Sequence, residues 1–243
     1  MSDLVSQVSS TLGGLKQEFN TIAHNLANVE TVGYKRRCNT FSRVLAAQGA
    51  GSNGELNGGV DIESALDFTQ GSLIGTDRPL DFALVGKGFF VVETPEGPLY
   101  TRNGMFRLDS NGQMVDTAGR IVAGESGPIT IPPNIGLSQI SVSSDGSINA
   151  EGAATGKFKL VDFGENEKDL QQAGMNCFQA PADAKPNAAT NLTVRQGFEE
   201  GSNVQMVEEL VDMIMVSRLY EANMQFVSAR RDASKSIIDV AMS

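Results

Sequence analysis

Between Ser202 and Ser243 the chain carries neither Gly nor Pro. Along that run Met206, Leu210, Met213, Ser217, Tyr220, Met224, Val227, Arg231, Ser234, Ile238 and Ala241 step by four and three. This is the stripe of an α-helix that lies against another helix. A second line, Val204, Val207, Val211 and Ile214, widens its first half. Near the N-terminus Leu4, Val8, Leu12, Leu15, Phe19, Ile22, Leu26 and Val29 keep the same rhythm. At about 1.5 Å per residue the spacing predicts rods of roughly 40 and 60 Å, too long to hide their stripes in a small domain. Ser202 or Asn203 is the expected N-cap of the second rod, with Glu208, Glu209 and Asp212 in its early turns, where the helix dipole favours negative charge.

Between the rods lie almost all the turn formers, including Asn103-Gly104, Asn111-Gly112, Thr117-Ala118-Gly119, Pro132-Pro133-Asn134 and Asp145-Gly146. They separate short candidate strands at 89–94, 98–102, 106–108, 113–116, 128–131, 139–143, 157–162 and 192–195, a pattern that predicts β hairpins. The expected fold class is α+β: N- and C-terminal heptad helices paired as a coiled coil, bracketing a central all-β domain. The expected partition is 1–45 for the first helix and a basic turn, 46–58 for a Gly-rich loop, 59–201 for the β domain and 202–243 for the last helix. A second loop is expected at 180–190. The net charge of −10 belongs to the middle, because the first 45 residues hold five basic and three acidic groups and the last 42 hold four and six.

That acidity argues against general affinity for nucleic acid or anionic lipid. His24 is the only histidine, expected on a helix surface, which removes a His-based metal cluster and any workable Ser/His/Asp order. Cys38 and Cys177 lack the spacing of a framework or a CxxC site and are expected as free thiols. The most apolar stretch, 83–92, is too short and too interrupted to span a membrane, and Asp3, Lys16 and Glu18 do not suit a cleavable signal peptide. Gly86-Lys87-Gly88 runs into the strand-like Phe89-Phe90-Val91-Val92, where a phosphate loop needs a helix. The pairs Asp61/Glu63, Asp77/Asp81 and Asp109/Asp116 read as turn carboxylates. No catalysis, cofactor, metal or small-molecule substrate is expected.

Several residues keep two readings. Asn25 and Asn28 share a helix face: Asn25 suits an inter-helix contact, and Asn28 suits either such a contact or a C-cap ahead of Thr31-Val32-Gly33. Lys35, Arg36, Arg37 and Arg43 are either a solvated run or a patch that docks on the acidic middle of another copy. Tyr100 to Gly104 reads as a strand entering an Asn-Gly hairpin, with Arg102 either an ion-pair partner or an inter-subunit contact. Phe89 and Phe90 point to opposite strand faces.

The run Asn25-Leu26-Ala27-Asn28-Val29-Glu30-Thr31-Val32-Gly33-Tyr34-Lys35 resembles the N-terminal signature of bacterial flagellar rod and hook proteins. Further matches follow in family order: Leu80-Asp81 into Gly86-Lys87-Gly88-Phe89-Phe90-Val91-Val92, then Tyr100-Thr101-Arg102-Asn103-Gly104-Met105-Phe106, then Gln196-Gly197 with Glu200, Ser202-Asn203-Val204, Glu208-Glu209, Met213-Ile214 and Arg218-Leu219-Tyr220-Glu221-Ala222-Asn223. Residues 124–132 and 156–161 resemble the proximal-rod FlgF branch, with the distal-rod FlgG branch as the second choice. Glu199, where the family usually has Leu, and Ser217-Arg218-Leu219 are departures, and the latter tells against the distal branch.

The resemblance implies a non-catalytic structural subunit that stacks into the basal-body rod spanning the periplasm, after passage through the flagellar type III export apparatus. Its partners are copies of itself and other rod subunits. The implied assembly interface comprises Leu15, Phe19, Ile22, Asn25, Leu26, Asn28, Val29, Gly33, Tyr34 and Lys35 at one end, and Ser202, Asn203, Val204, Val207, Leu210, Val211, Ile214, Tyr220, Met224 and Val227 at the other. The second reading, from a different class, is a β binding module that its heptad ends merely oligomerise.

Overall fold

A computed structural model describes residues 2–43 and 60–242. The expected Gly-rich loop at 46–58 lies outside the described residues. The chain is α+β, with helices at its two termini and a mostly β centre, and it divides into two compact units.

The first unit holds helix α1 (Ser2–Ala27), strands β1 (Arg37–Arg43) and β2 (Val60–Leu66), and helix α2 (Met206–Met242). The strands form a two-stranded sheet, and α1 packs on both α2 and β1. Ile22 and Val216 are its buried apolar side chains among the described residues.

The second unit takes Asn28–Arg36 and Leu66–Val204. Its sheet is built around β5 (Phe89–Thr94), which pairs antiparallel with β6 (Gly97–Thr101), β9 (Ile121–Gly124) and β14 (Leu160–Asp162). A strand buried on both faces reads as a continuous apolar run, which is why 89–92 shows no polar alternation. Phe90 and Val92 enter one cluster with Phe82, Leu84, Phe106 and Phe158, while Phe89 and Val91 enter a second with Tyr100, Val161, Phe163 and Phe178. The opposite-face expectation for the Phe pair holds, and both faces are core. Beside this sheet, β4 (Phe82–Gly86) pairs with β18 (Leu192–Gln196), and β3 (Leu73–Gly75) pairs with β19 (Phe198–Glu200).

The turns at Gly112, Gly119 and Gly146 take positive φ, as their sequences predict. The Asn103-Gly104 hairpin does not form. After β6 the chain departs to bond with 80–82, where Phe106 N–H donates to the Leu80 carbonyl at 3.0 Å and Phe82 N–H to Gly104 at 3.0 Å. Gly104 is needed there because a Cβ would overlap the Phe82 carbonyl oxygen. Asp109 and Asp116 accept backbone N–H groups of their own turns at 2.7–2.9 Å, the turn role expected for them.

Candidate functional site

On α1 the expected stripe faces inward: Ile22 and Asn25 are buried, and Leu12, Leu15 and Leu26 are half-buried. Phe19 is partly exposed and His24 lies on the helix surface. On α2 the inward face is offset from the expected stripe and shares only Met213 and Ser217 with it. Glu209 and Val216 are buried while Asp212, Met213, Ser217 and Asn223 are half-buried. Val207, Leu210, Val211, Ile214, Tyr220, Met224 and Val227 are exposed, with Val207 at 73% and Ile214 at 56%. Met215, Leu219 and Phe226 extend this apolar surface.

Asn25 joins the two helices. Its Oδ1 accepts the Arg37 backbone N–H at 2.9 Å, which fixes the amide's orientation, and Nδ2 donates to the Arg37 carbonyl at 2.9 Å and to both Glu209 carboxylate oxygens at 3.3 Å. The inter-helix contact expected of Asn25 is therefore present within one chain. Asn28 Oδ1 instead accepts the Thr31 hydroxyl at 3.2 Å, and the Thr31 N–H donates to the Asn28 carbonyl at 3.1 Å, closing the turn that follows α1.

Within the second unit the signature residues converge on Glu200. Its Oε1 accepts Lys35 Nζ at 2.7 Å and the Gly71 N–H at 3.0 Å; its Oε2 lies 3.3 Å from Arg102 Nη1; and its backbone carbonyl accepts the Gly33 N–H at 2.7 Å. Lys35 also donates to the Thr69 carbonyl at 2.7 Å, and Arg102 to the Gly86 carbonyl at 2.7 Å, with its guanidinium 5.4 Å from the Phe89 ring centroid. All three charged side chains are at most 1% exposed. Burial pulls the Lys35 amine below the ordinary lysine range, against the raising effect of the Glu200 charge and hydrogen bond. Close by, burial raises the Glu167 carboxyl, opposed by Arg102, Lys87 and Lys35, and its Oε1 has no hydrogen-bond partner.

Lys35 itself fits neither reading of the basic run, because it is buried against Glu200 within its unit, while Arg36 and Arg37 are half-buried. Arg102 is resolved as an ion-pair partner. Ser202 and Asn203 do not cap α2, which starts at Met206. Asn203 Oδ1 accepts the Arg36 N–H at 2.7 Å and its Nδ2 donates to the Asp67 carbonyl at 2.8 Å, tying three segments of the chain together. Ser202 accepts the Val204 N–H at 3.2 Å and lines a shallow cleft of about 280 Å³ with Val29, Val32, Ile74, Glu30 and Glu199. Val204 and Tyr34 are buried. Glu200 was not singled out as a site residue from sequence. Its sequence shows only the match with Gln196-Gly197, and nothing in its spacing marks it as the counter-charge of Lys35 and Arg102.

Residues 83–150 match the family model for the flagellar hook protein FlgE/F/G D1 domain, and residues 195–240 match that for the flagellar basal body rod FlgEFG protein C-terminal region. Over 235 residues the chain is 34% identical to the flagellar basal-body rod protein FlgG of Buchnera aphidicola from Acyrthosiphon pisum, covering 86% of this chain and 88% of the relative. The chain belongs to the flagellar basal-body rod family. It is 32% identical over 238 residues to the rod protein FlgF of Salmonella typhimurium, covering 91% and 92%, and 30% identical over 222 residues to FlgF of Mesorhizobium japonicum, covering 91% and 90%. It is a structural rod subunit, of a structural rather than an enzyme family. For this rod protein the Lys35–Glu200–Arg102 cluster is a buried structural node, and the exposed apolar face of α2 is the candidate interface.

Proposed function

We propose that this rod subunit takes the proximal, FlgF-like place, that α1 and α2 pair as an antiparallel coiled coil, and that subunits stack through the helix faces left exposed. The observation that carries the reading is the row Val207, Val211 and Ile214, exposed at 73, 51 and 56% on one helix. A contiguous apolar face of this kind marks a protein contact. One heterologous contact repeated without closure builds a filament, the geometry of an axial shaft. Partners are copies of the chain and other rod subunits. Residues 1–45 and 202–243 form the axial part and 59–201 the outward domain. The two stretches resembling the FlgF branch lie side by side, with Glu125 N–H donating to the Lys157 carbonyl at 2.9 Å and a Glu125–Lys157 ion pair at 3.0 Å, so they act as one surface. Delivery through the type III export apparatus to a periplasm-spanning rod completes the reading.

The distal FlgG-like place is the second reading, favoured by the 34% identity to a Buchnera FlgG. Cryo-electron microscopy of basal bodies carrying this chain with a tag separates the two. Tag density at the base of the rod supports the proximal place, and density along its distal length assigns the subunit there. Closed oligomers of fixed mass with no tag in the rod sink both in favour of an oligomerised binding module.

A further inference from the structure

The helix pair poses a question of choice. On α2 the apolar side chains nearly encircle the first half of the helix, so burial of apolar area alone, worth about 25 cal/mol per Å², gives several faces similar value. The face turned to α1 is not the most apolar one. It carries Glu209, Asp212, Val216 and Asn223, whereas Val207, Val211 and Ile214 stay in water. Among the described residues of this unit, Asn25 and Glu209 are the buried polar side chains, and they meet each other. Asn25 lies at the end of α1 and Glu209 at the start of α2, so the continuing contact between them runs antiparallel. Asn25 is itself held by the Arg37 N–H and carbonyl, so the amide that meets Glu209 has a fixed orientation.

We propose that Asn25 and Glu209 form a register lock: the buried pair selects which face and which heptad of α2 meets α1, and thereby keeps the more apolar face available for neighbouring subunits. A buried polar group in a helix seam lowers stability in return for one register, because any slip leaves the carboxylate and amide buried without each other. A slip of one heptad moves α2 by about 10 Å along α1. Glu209 is the positioning residue, and Asn25 with the Arg37 backbone is its fixed template. The proposal rests on the coiled-coil reading of the helix pair.

The test uses the full chain with Cys38 and Cys177 changed to Ser and nitroxide labels at the exposed positions of Lys16 and Arg230, offset by about 18 Å along the antiparallel pair so that a slip changes their distance, and diluted in excess unlabelled protein so that distances are within one chain. The parent is expected to give one narrow distance by double electron–electron resonance. Glu209→Leu is expected to give at least two populations separated by several Å, up to about 10 Å, with helix content retained. Glu209→Gln, which keeps a hydrogen bond to Asn25, is expected to restore the single distance. A single unchanged distance in Glu209→Leu overturns the lock while leaving the pairing intact. Loss of helical signal with a featureless distribution in that variant also overturns it, because the pair is then only a stability contact. A broad distribution in the parent removes the pairing itself and the lock with it.

Discussion

Glu200 serves two cations and a backbone N–H at once with no access to water, and the cost of losing any partner follows from that. Removing one member of a buried ion pair leaves the other charge desolvated, at about 3–5 kcal/mol. Lys35→Ala is therefore expected to lower the stability of the β unit by about that much, read as a shift of its denaturant midpoint. An unchanged midpoint would show that water solvates the cluster. Glu167 gives a pH signature. Its carboxyl is raised in the folded chain, so the fold retains a proton that the unfolded chain has already lost, and stability falls as pH rises from the ordinary glutamate value through the folded one. Glu167→Gln is expected to stabilise the protein at pH 7 and to make little difference near pH 4. Equal effects at both pH values would remove burial as the cause. Gly33 takes φ +69°, and a Cβ would come within 2.6 Å of the Asn103 backbone nitrogen, so Gly33→Ala is expected to cost about 2 kcal/mol or more, measurable by the same denaturant titration. The family signature made Gly33, Lys35 and Arg102 visible in sequence. That Glu200, part of the same match, is their common partner was not, because Lys35 and Glu200 stand 165 residues apart and ion pairing at that separation leaves no periodic trace.

Helices and strands divide sharply in what their sequences reveal. The strand 89–94 was legible to the residue because a run without polar interruption must be buried on both faces. The first helix was legible as well, since its stripe is narrow and has one solution. For α2 the sequence stripe Leu210, Ser217 and Met224 lies one residue away from the observed inward row Glu209, Val216 and Asn223. Periodicity locates a seam on a helix with one apolar face; on a helix with two, polar pairing decides, and the sequence does not weigh that. The β10 strand (Gly127–Pro128) was expected to reach Ile131 and stops short, because the chain then leaves β9 for 112–114, where the Ile129 carbonyl accepts the Met114 N–H at 2.9 Å and the Ile131 N–H donates to the Gly112 carbonyl at 2.8 Å. The exposed row makes the prediction at this scale. Ile214→Asp is expected to abolish assembly, read as loss of fast-sedimenting polymer, while the thermal midpoint of the unassembled chain moves by no more than about 0.5 kcal/mol equivalent, as for a surface change. Polymer formed normally by this variant would take the interface off α2.

At the level of the whole molecule the two units hold unequal shares of the apolar core. The β unit contains both large clusters, whereas the described part of the helical unit buries Ile22 and Val216 and leaves a row of large apolar side chains in water. Local stability follows buried contacts, so the two units are expected to open at different free energies. Hydrogen exchange followed by mass spectrometry on dilute chain should find β4, β5 and β18 exchanging slowest and α2 beyond Tyr220 exchanging fast, since helices of this kind draw most of their stability from packing partners. Raising the concentration until polymers form should slow exchange in α2 by the mass action of association and leave the β strands unchanged. That pattern assigns the net charge as well. The acidic residues concentrate between the helices, while the helical ends together are formally neutral, so stacking brings together surfaces with little mutual repulsion. Assembly should consequently persist at low salt, where a charged axial surface would be driven apart. Polymers that form only at high salt, or slow exchange throughout α2 in dilute chain, would mean that the helical unit is complete by itself and that the apolar row has another purpose.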